Sequence, residues 1–204
     1  MGFYRNRILP ALIHSAMDRD DFKPYRGRVV DGAAGRVLEV GIGSGLNLPL
    51  YGDAVREVVG IDPSPRLLAM ARDASRGRPI PIELVEGTAE AIPLEDHSVD
   101  TVITTWTLCS IPEAMRALAE MRRVLKPSGA LRFVEHGRAP EASVRWWQDR
   151  LTPIWKRIGG GCHLNRPIGQ LIAESGFRIE RMEVGYLRGR NPLAFLYEGD
   201  ARPR

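Results

Sequence analysis

Cysteine is scarce, with Cys109 and Cys162 the two in a chain of 204 residues. Such a pair excludes the disulfide framework that stabilises small secreted domains and points to a reducing compartment, the cytoplasm. Long apolar runs are also missing. No stretch approaches the roughly 18 consecutive apolar residues of a membrane-spanning helix, and no signal-peptide pattern is found. Gly2 follows Met1, but Asn6 stands where the myristoylation pattern needs Ser or Thr. Neither sign of charge dominates: 29 basic residues face 25 acidic ones, a formal net charge of +4. No run of five Lys/Arg occurs, which argues against a nucleic-acid partner while leaving room for an anionic cofactor, an acidic substrate or a membrane surface. Repeats and low-complexity segments are absent. With 44% hydrophobic and 26% charged residues, the chain has the composition and length of one folded domain with a sizeable core.

Periodicity supplies the architecture. Residues 3–17 place Ile8/Leu9, Leu12/Ile13 and Ala16/Met17 on one helical face, with Pro10 near the start; a polar linker and a second short helix follow before Gly35. From residue 36, strands expected at 36–40, 57–62, 82–86, 99–104 and 130–135 alternate with helices beginning at 46–51 and spanning 65–75 and 112–125. Residues 127–129 are expected to turn the chain into the fifth strand. Alternation of this kind implies βαβ units, a parallel sheet and right-handed crossovers. The rhythm then breaks. A Trp-rich helix is expected at 143–156, a corner at Gly159-Gly160-Gly161, a helix at 167–175, and an antiparallel hairpin of 177–186 with 193–198 turning at 189–192.

The sharpest local signal is the strand 37–40 entering Gly41-Ile42-Gly43-Ser44-Gly45-Leu46-Asn47. Alternate glycines permit positive φ and close backbone approach, and a following helix N-terminus would offer unpaired N–H groups. The third glycine falls at 45, where the dinucleotide pattern needs one at 46, occupied by Leu46. The next strand ends in Asp62, 62 − 41 = 21 residues after Gly41. That is close to the ~20 expected for a carboxylate that accepts both hydroxyls of a ribose.

These residues resemble motif I of the class I methyltransferases that use S-adenosylmethionine (SAM), of the methyltransferase type 11 domain. The likeness runs from Arg36 to Tyr197. Glu86-Gly87-Thr88-Ala89-Glu90-Ala91-Ile92-Pro93-Leu94 is similar to the stretch that surrounds the adenine, with Thr88 where many members carry Asp; Ser98-Val99-Asp100 and 123–129 match two structural signatures. Leu108-Cys109-Ser110-Ile111, Glu135-His136, Trp155 and Gly161-Cys162-His163-Leu164-Asn165-Arg166 resemble a smaller group. It contains the membrane-associated alkyl-thiol methyltransferases of animals and their bacterial relatives, near the phosphatidylethanolamine and quinone methyltransferases. The animal members' hydrophobic anchor has no counterpart in this sequence, so membrane residence is not expected to carry over.

The resemblance implies an α/β fold: a Rossmann-like, doubly wound, mostly parallel seven-stranded sheet with a C-terminal antiparallel hairpin, in a single domain. Residues 1–34 are expected to form a helical lid segment, and 35–204 the SAM-binding domain with a lid insertion at about 137–166. Expected cofactor contacts are Glu39, Gly41, Gly43, Gly45, Asn47, Asp62, Pro63, Ala89, Glu90 and Thr105. Methyl transfer from a sulfonium is an in-line displacement for which orientation alone supplies roughly 7–11 kcal/mol in favourable cases, so a dedicated base is optional. His136 is the candidate base or orienting group. Trp106, Cys109, Glu135, His136 and Trp155 are expected on the acceptor side. Trp146 and Trp147 with Arg145, Arg150, Lys156 and Arg157 would give the lid an apolar pocket rimmed by cations, for a small or lipid-like acceptor with nucleophilic S, N or O. Cys162 and His163 with a remote His136 lack zinc spacing, so no metal is expected. Two other readings are a SAM-binding regulatory module without catalysis and an NAD-dependent oxidoreductase, which the missing glycine at 46 opposes.

Overall fold

In the computed structural model, residues 8–187 and 194–204 are described. Seven strands make one sheet in the order β3-β2-β1-β4-β5-β7-β6. They are β1 (Gly35–Val40), β2 (Val55–Asp62), β3 (Ile82–Glu86), β4 (Val99–Thr105), β5 (Leu125–His136), β6 (Phe177–Tyr186) and β7 (Phe195–Pro203). The pairings among β1 to β5 are parallel, while β7 runs antiparallel to both β5 and β6. Strands covered on both faces must be apolar nearly throughout. Val37, Leu38 and Val40 in β1, Val58, Val59 and Ile61 in β2, and Leu131, Phe133 and Val134 in β5 are accordingly buried.

Helices α1 (Leu9–Met17), α2 (Lys23–Asp31), α3 (Pro65–Ser75), α4 (Ala114–Val124), α5 (Ala142–Ile158) and α6 (Ile168–Glu174) complete the fold. One core layer joins α4 and α6 to the sheet through Leu118, Met121, Ile168 and Ile172; the opposite layer joins α2 and α3 through Val29, Val30 and Leu68. Helix α3 begins because the Ser64 hydroxyl accepts the Leu67 amide at 3.3 Å and Pro65 occupies its first turn.

The sheet, its order and the C-terminal antiparallel pair agree with the expected fold class, and three local expectations need correction. The helix expected from residue 46 is a single 3₁₀ turn, Leu48–Leu50. Pro49 removes a backbone donor, and β2 begins at Val55, so no length remains for a second turn. The turn expected at 127–129 lies inside β5, which starts at Leu125 directly after α4. Between the pairs Val99↔Leu125 and Thr101↔Ala130, two steps along β4 match five along β5, so Pro127, Ser128 and Gly129 are absorbed as a bulge. The last strand reaches Pro203, beyond the expected 198, and the expected turn at 189–192 lies outside the described residues.

Gly45 shows what the loop after β1 demands. Its φ is +80°, and an added Cβ would sit 2.9 Å from Leu48 Cδ1 and 3.1 Å from the Ala71 Cα in α3. Left-handed backbone and overpacking against a helix backbone add to about 2–4 kcal/mol. Gly45→Ala should therefore lower the melting temperature by roughly 5–15 °C in a calorimetric scan; an unchanged midpoint would refute this packing account.

Candidate active site

The carboxyl ends of β1, β2, β4 and β5 converge on the loop of residues 41–47. The Gly41 and Ile42 amides both donate to the Ile61 carbonyl, at 2.8 and 3.2 Å, and the Gly45 amide to the Ile42 carbonyl at 3.0 Å. The Gly43 amide donates to Asp62 Oδ2 at 3.0 Å. The amides of Gly41, Ile42, Gly43 and Gly45 are thus engaged within the protein, and these residues give the loop its shape. An added Cβ at Gly41 would meet Thr107 Oγ1 at 2.3 Å, whereas at Gly43 the space is open, the nearest atom being 3.9 Å away.

Asp62 is held at the tip of β2, its Oδ1 accepting the Ser64 amide at 2.8 Å and its Oδ2 the Gly43 amide. A carboxylate offers about four lone-pair positions. Two are taken, which leaves one on each oxygen, the pattern a vicinal diol requires. Burial pushes the Asp62 carboxyl above its ordinary range, opposed by those two amides. Pro63 follows directly.

The loop after β3 carries Ala89, Glu90 and the buried Ile92. Helix α4 fixes it: Arg123 donates to the Ile92 and Leu94 carbonyls at 2.8 Å, and Glu120 accepts the Ile92 amide at 2.9 Å. Glu90 Oε1 lies 3.4 Å from the Glu113 amide, tying the loop to the start of α4.

Glu39 and Asn47 face inward. Tyr51 donates to Glu39 Oε2 at 2.7 Å, and Asn47 Nδ2 to Glu39 Oε1 at 2.8 Å and to Thr105 Oγ1 at 3.2 Å. Arg26 of α2 closes the network, reaching Asn47 Oδ1 at 2.9 Å and Thr105 Oγ1 at 3.2 Å. Burial raises the Glu39 carboxyl to about 7 against the pull of Tyr51, Arg26 and Asn47. Arg26 also lies 4.9 Å over the Trp106 ring, whose edge meets Phe22 at 4.7 Å. Trp106 adopts φ +53°, a conformation that a bulky residue keeps only when its surroundings impose it. Helix α1 reaches the same loop, with His14 Nδ1 2.7 Å from Ser44 Oγ.

On the acceptor side, Glu135 is fully buried and its Oε1 accepts the Thr107 amide at 3.1 Å. Its carboxyl is raised to about 7 by burial, opposed by the Thr107 amide. Glu135 therefore organises the backbone after β4. Arg166 assists from across the site, donating to the Leu108 and Pro112 carbonyls. His136 closes β5, with Nδ1 4.0 Å from Cys162 Sγ. Trp146 and Trp147 are about half exposed, packed edge to face on each other at 4.7 Å with Arg150 over Trp146 at 4.0 Å. They lie on the outer face of α5 and are not part of a buried core.

Glu135 makes a pH prediction. An unfolded glutamate titrates near 4.3. Because the folded pKa is higher, the native state binds the extra proton, and stability is lost as pH rises from ~4.3 to about 7. Glu135→Gln keeps an acceptor for Thr107 and cannot ionise. The melting temperature of the variant minus that of the unmutated protein should grow from pH 5 to pH 8, by the equivalent of roughly 3 kcal/mol at most. A constant difference would mean that Glu135 is ionised throughout.

Asp62, the glycines, Thr105, Glu135 and His136 stand at the carboxyl ends of β2, β1, β4 and β5. Nothing in the sequence marks Arg26, Tyr51 and Glu120 as part of the site, or the contacts that Arg123 and Arg166, both inside recognisable motifs, make to the loops 92–94 and 108–112; the strained Trp106 backbone has no sequence signal either.

The methyltransferase domain family matches residues 38–133. Human thiol S-methyltransferase TMT1B is 34% identical over 187 residues, a match covering 89% of this chain and 74% of that protein. The rat protein of the same name is 35% identical over 151 residues, covering 72% of this chain and 62% of its own length, less than two thirds. Among solved structures, a SAM-dependent methyltransferase from Aquifex aeolicus superposes with a TM-score of 0.68 at 20% identity, over 96% of this chain and 98% of that one. Among the described residues, no helix is long and apolar enough to cross a membrane.

Proposed function

Since the chain belongs to the methyltransferase domain family, we propose that it is a class I enzyme transferring a methyl group from SAM to a small, largely apolar acceptor, a thiol foremost. The observation that carries this reading is Asp62, with one unclaimed acceptor position per oxygen beside the open face of Gly43. That geometry fits a ribose. SAM, when bound, supplies the electrophilic methyl and its own leaving group.

The residues do the remaining work. Asp62 holds the two sugar hydroxyls, and the loop fixed by Arg123 and Glu120 flanks the base with Ala89, Glu90 and Ile92. Glu135 and Arg166 hold residues 107–112 in one conformation, so the acceptor meets a rigid wall. His136 takes the acceptor's proton or orients its nucleophilic atom. A thiol with a pKa near 8.5 is only a few per cent ionised at pH 7, so a base at that position raises the reactive fraction. Residues 8–34, the described part of the expected lid segment 1–34, and about 137–166 act as lid elements that exclude water, and the free thiols suit a reducing compartment such as the cytoplasm.

Incubation with methyl-labelled SAM and a panel of thiols, amines and quinols tests the proposal. Label is expected in at least one thiol, with S-adenosylhomocysteine formed in equal amount. SAM binding without product from any acceptor class would favour a regulatory module, and no binding would refute the reading.

A further inference from the structure

Two backbone segments far apart in sequence meet beside His136. The His163 amide donates to the Cys109 carbonyl at 2.7 Å, with His163 Nδ1 3.2 Å from the same oxygen. Two residues earlier the approach is also close, since a Cβ built on Gly161 would lie 3.2 Å from the Ser110 carbonyl. Gly160 and Gly161, at φ +67° and +94°, make the corner that brings the segment in. Its consequence is that the two cysteines sit on abutting segments, Cys162 with Sγ 4.0 Å from His136 Nδ1 and Cys109 with Sγ 3.6 Å from Ser110 Oγ. Cys109 is buried, with Sγ 3.6 Å from the Trp106 carbonyl, while Cys162 is half-buried.

We propose that Cys109 and Cys162 are a paired oxidation site, which a hydroperoxide converts into an intramolecular disulfide joining the loop after β4 to the segment after α5. Nothing in the methyl-transfer chemistry requires the two cysteines to be neighbours. The asymmetry of the pair assigns the roles. The neighbouring Cys109 thiol, then His136, favours the Cys162 thiolate against the cost of burial, while Cys109 is held as the thiol. The Cys162 thiolate attacks one peroxide oxygen; an S–O bond forms, the O–O bond breaks, and the departing alkoxide takes a proton to become an alcohol. Cys109 sulfur then attacks the Cys162 sulfenic acid. The S–S bond forms, the S–O bond breaks, and hydroxide leaves with the Cys109 proton as water. Two thiols and one hydroperoxide give one disulfide, one alcohol and one water. The crosslink would pin the lid segment to the backbone that Glu135 organises, next to His136, placing the acceptor side under oxidant control.

The test uses the full chain, reduced with a phosphine because a thiol reductant could itself accept a methyl group. After desalting and addition of near-stoichiometric hydrogen peroxide, intact mass should fall by two hydrogens. The chain should stay monomeric on a non-reducing gel, and peptide mapping should show residue 109 linked to residue 162. In Cys109→Ser the mass should instead rise by oxygen at Cys162, and Cys162→Ser should remain unchanged under the same dose. Both thiols still alkylatable after peroxide, oxygen gained in the unmutated chain without a crosslinked peptide, or a link between two chains would each overturn the proposal. The mass of the unmutated protein decides the matter even if a variant folds poorly.

Discussion

Asp62→Ala is expected to weaken SAM binding by about 100-fold or more, measured by titration calorimetry, while leaving a folded protein. Hydrogen bonds to a charged acceptor contribute roughly 1.5–3 kcal/mol each, and two would be lost with the carboxylate. The same change orphans the Gly43 and Ser64 amides, which now donate to Asp62 at 3.0 and 2.8 Å. Loop shape and ligand contact therefore fail together, which a contact-only account would underestimate. Asp62→Asn separates the two contributions. It keeps one acceptor oxygen and the side-chain shape, so its affinity should fall between the other two. Gly43→Ala approaches the same question from the loop: its methyl group would meet no atom nearer than the Gly41 carbonyl at 3.9 Å, so the stability cost is confined to the left-handed backbone at φ +57°, about 1–2 kcal/mol, and SAM affinity should fall as well. Undiminished affinity in Asp62→Ala would remove the basis of the proposed function.

How much of this could be read from the sequence depended on how local each interaction is. The strand, the alternate glycines and Asp62 lie within 62 − 37 + 1 = 26 residues, and each has a positional signature; all stand where expected. The same reasoning overreached at residues 46–51, where apolar spacing favoured a helix but Pro49 and the early start of β2 did not leave room. In α5, Trp146 and Trp147 fit either a core face or an outer face by periodicity alone, and the fold puts them outside. Least legible were the buried ions. Arg26 lies in Lys23–Asp31, whose Lys, Tyr and two Arg residues resemble a solvated surface, and its partners Asn47 and Thr105 are 21 and 79 residues away. A polar side chain reads as exposed until its partners are known, and only the folded chain brings them into reach.

Arg26→Ala should consequently cost more than any surface substitution, about 2–4 kcal/mol in urea unfolding, because it orphans the buried Asn47 and Thr105 acceptors and removes the cation that opposes the burial of Glu39. Arg26 and Glu39 do not touch directly; Asn47 bridges them, accepting from one and donating to the other. Their interaction is therefore carried by charge and by a shared amide, and the two residues should not behave independently. Glu39→Gln removes the charge that needs Arg26, so Arg26→Ala/Glu39→Gln should be more stable than the sum of the single losses predicts, by about 1–3 kcal/mol. The sign with pH follows. Arg26 holds the Glu39 carboxyl down against burial that already lifts it to about 7, so without Arg26 the proton binds more tightly still. Below that range Glu39 is neutral and the missing cation matters least; at pH 8 the folded state must either keep a proton against the solution or bury an unpaired charge. The destabilisation by Arg26→Ala should thus be larger at pH 8 than at pH 6, and Glu39→Gln should abolish that difference. Strict additivity at both pH values would show that α2 is held to the glycine loop by packing of Phe22 and Trp106 alone, with the buried ions incidental to it.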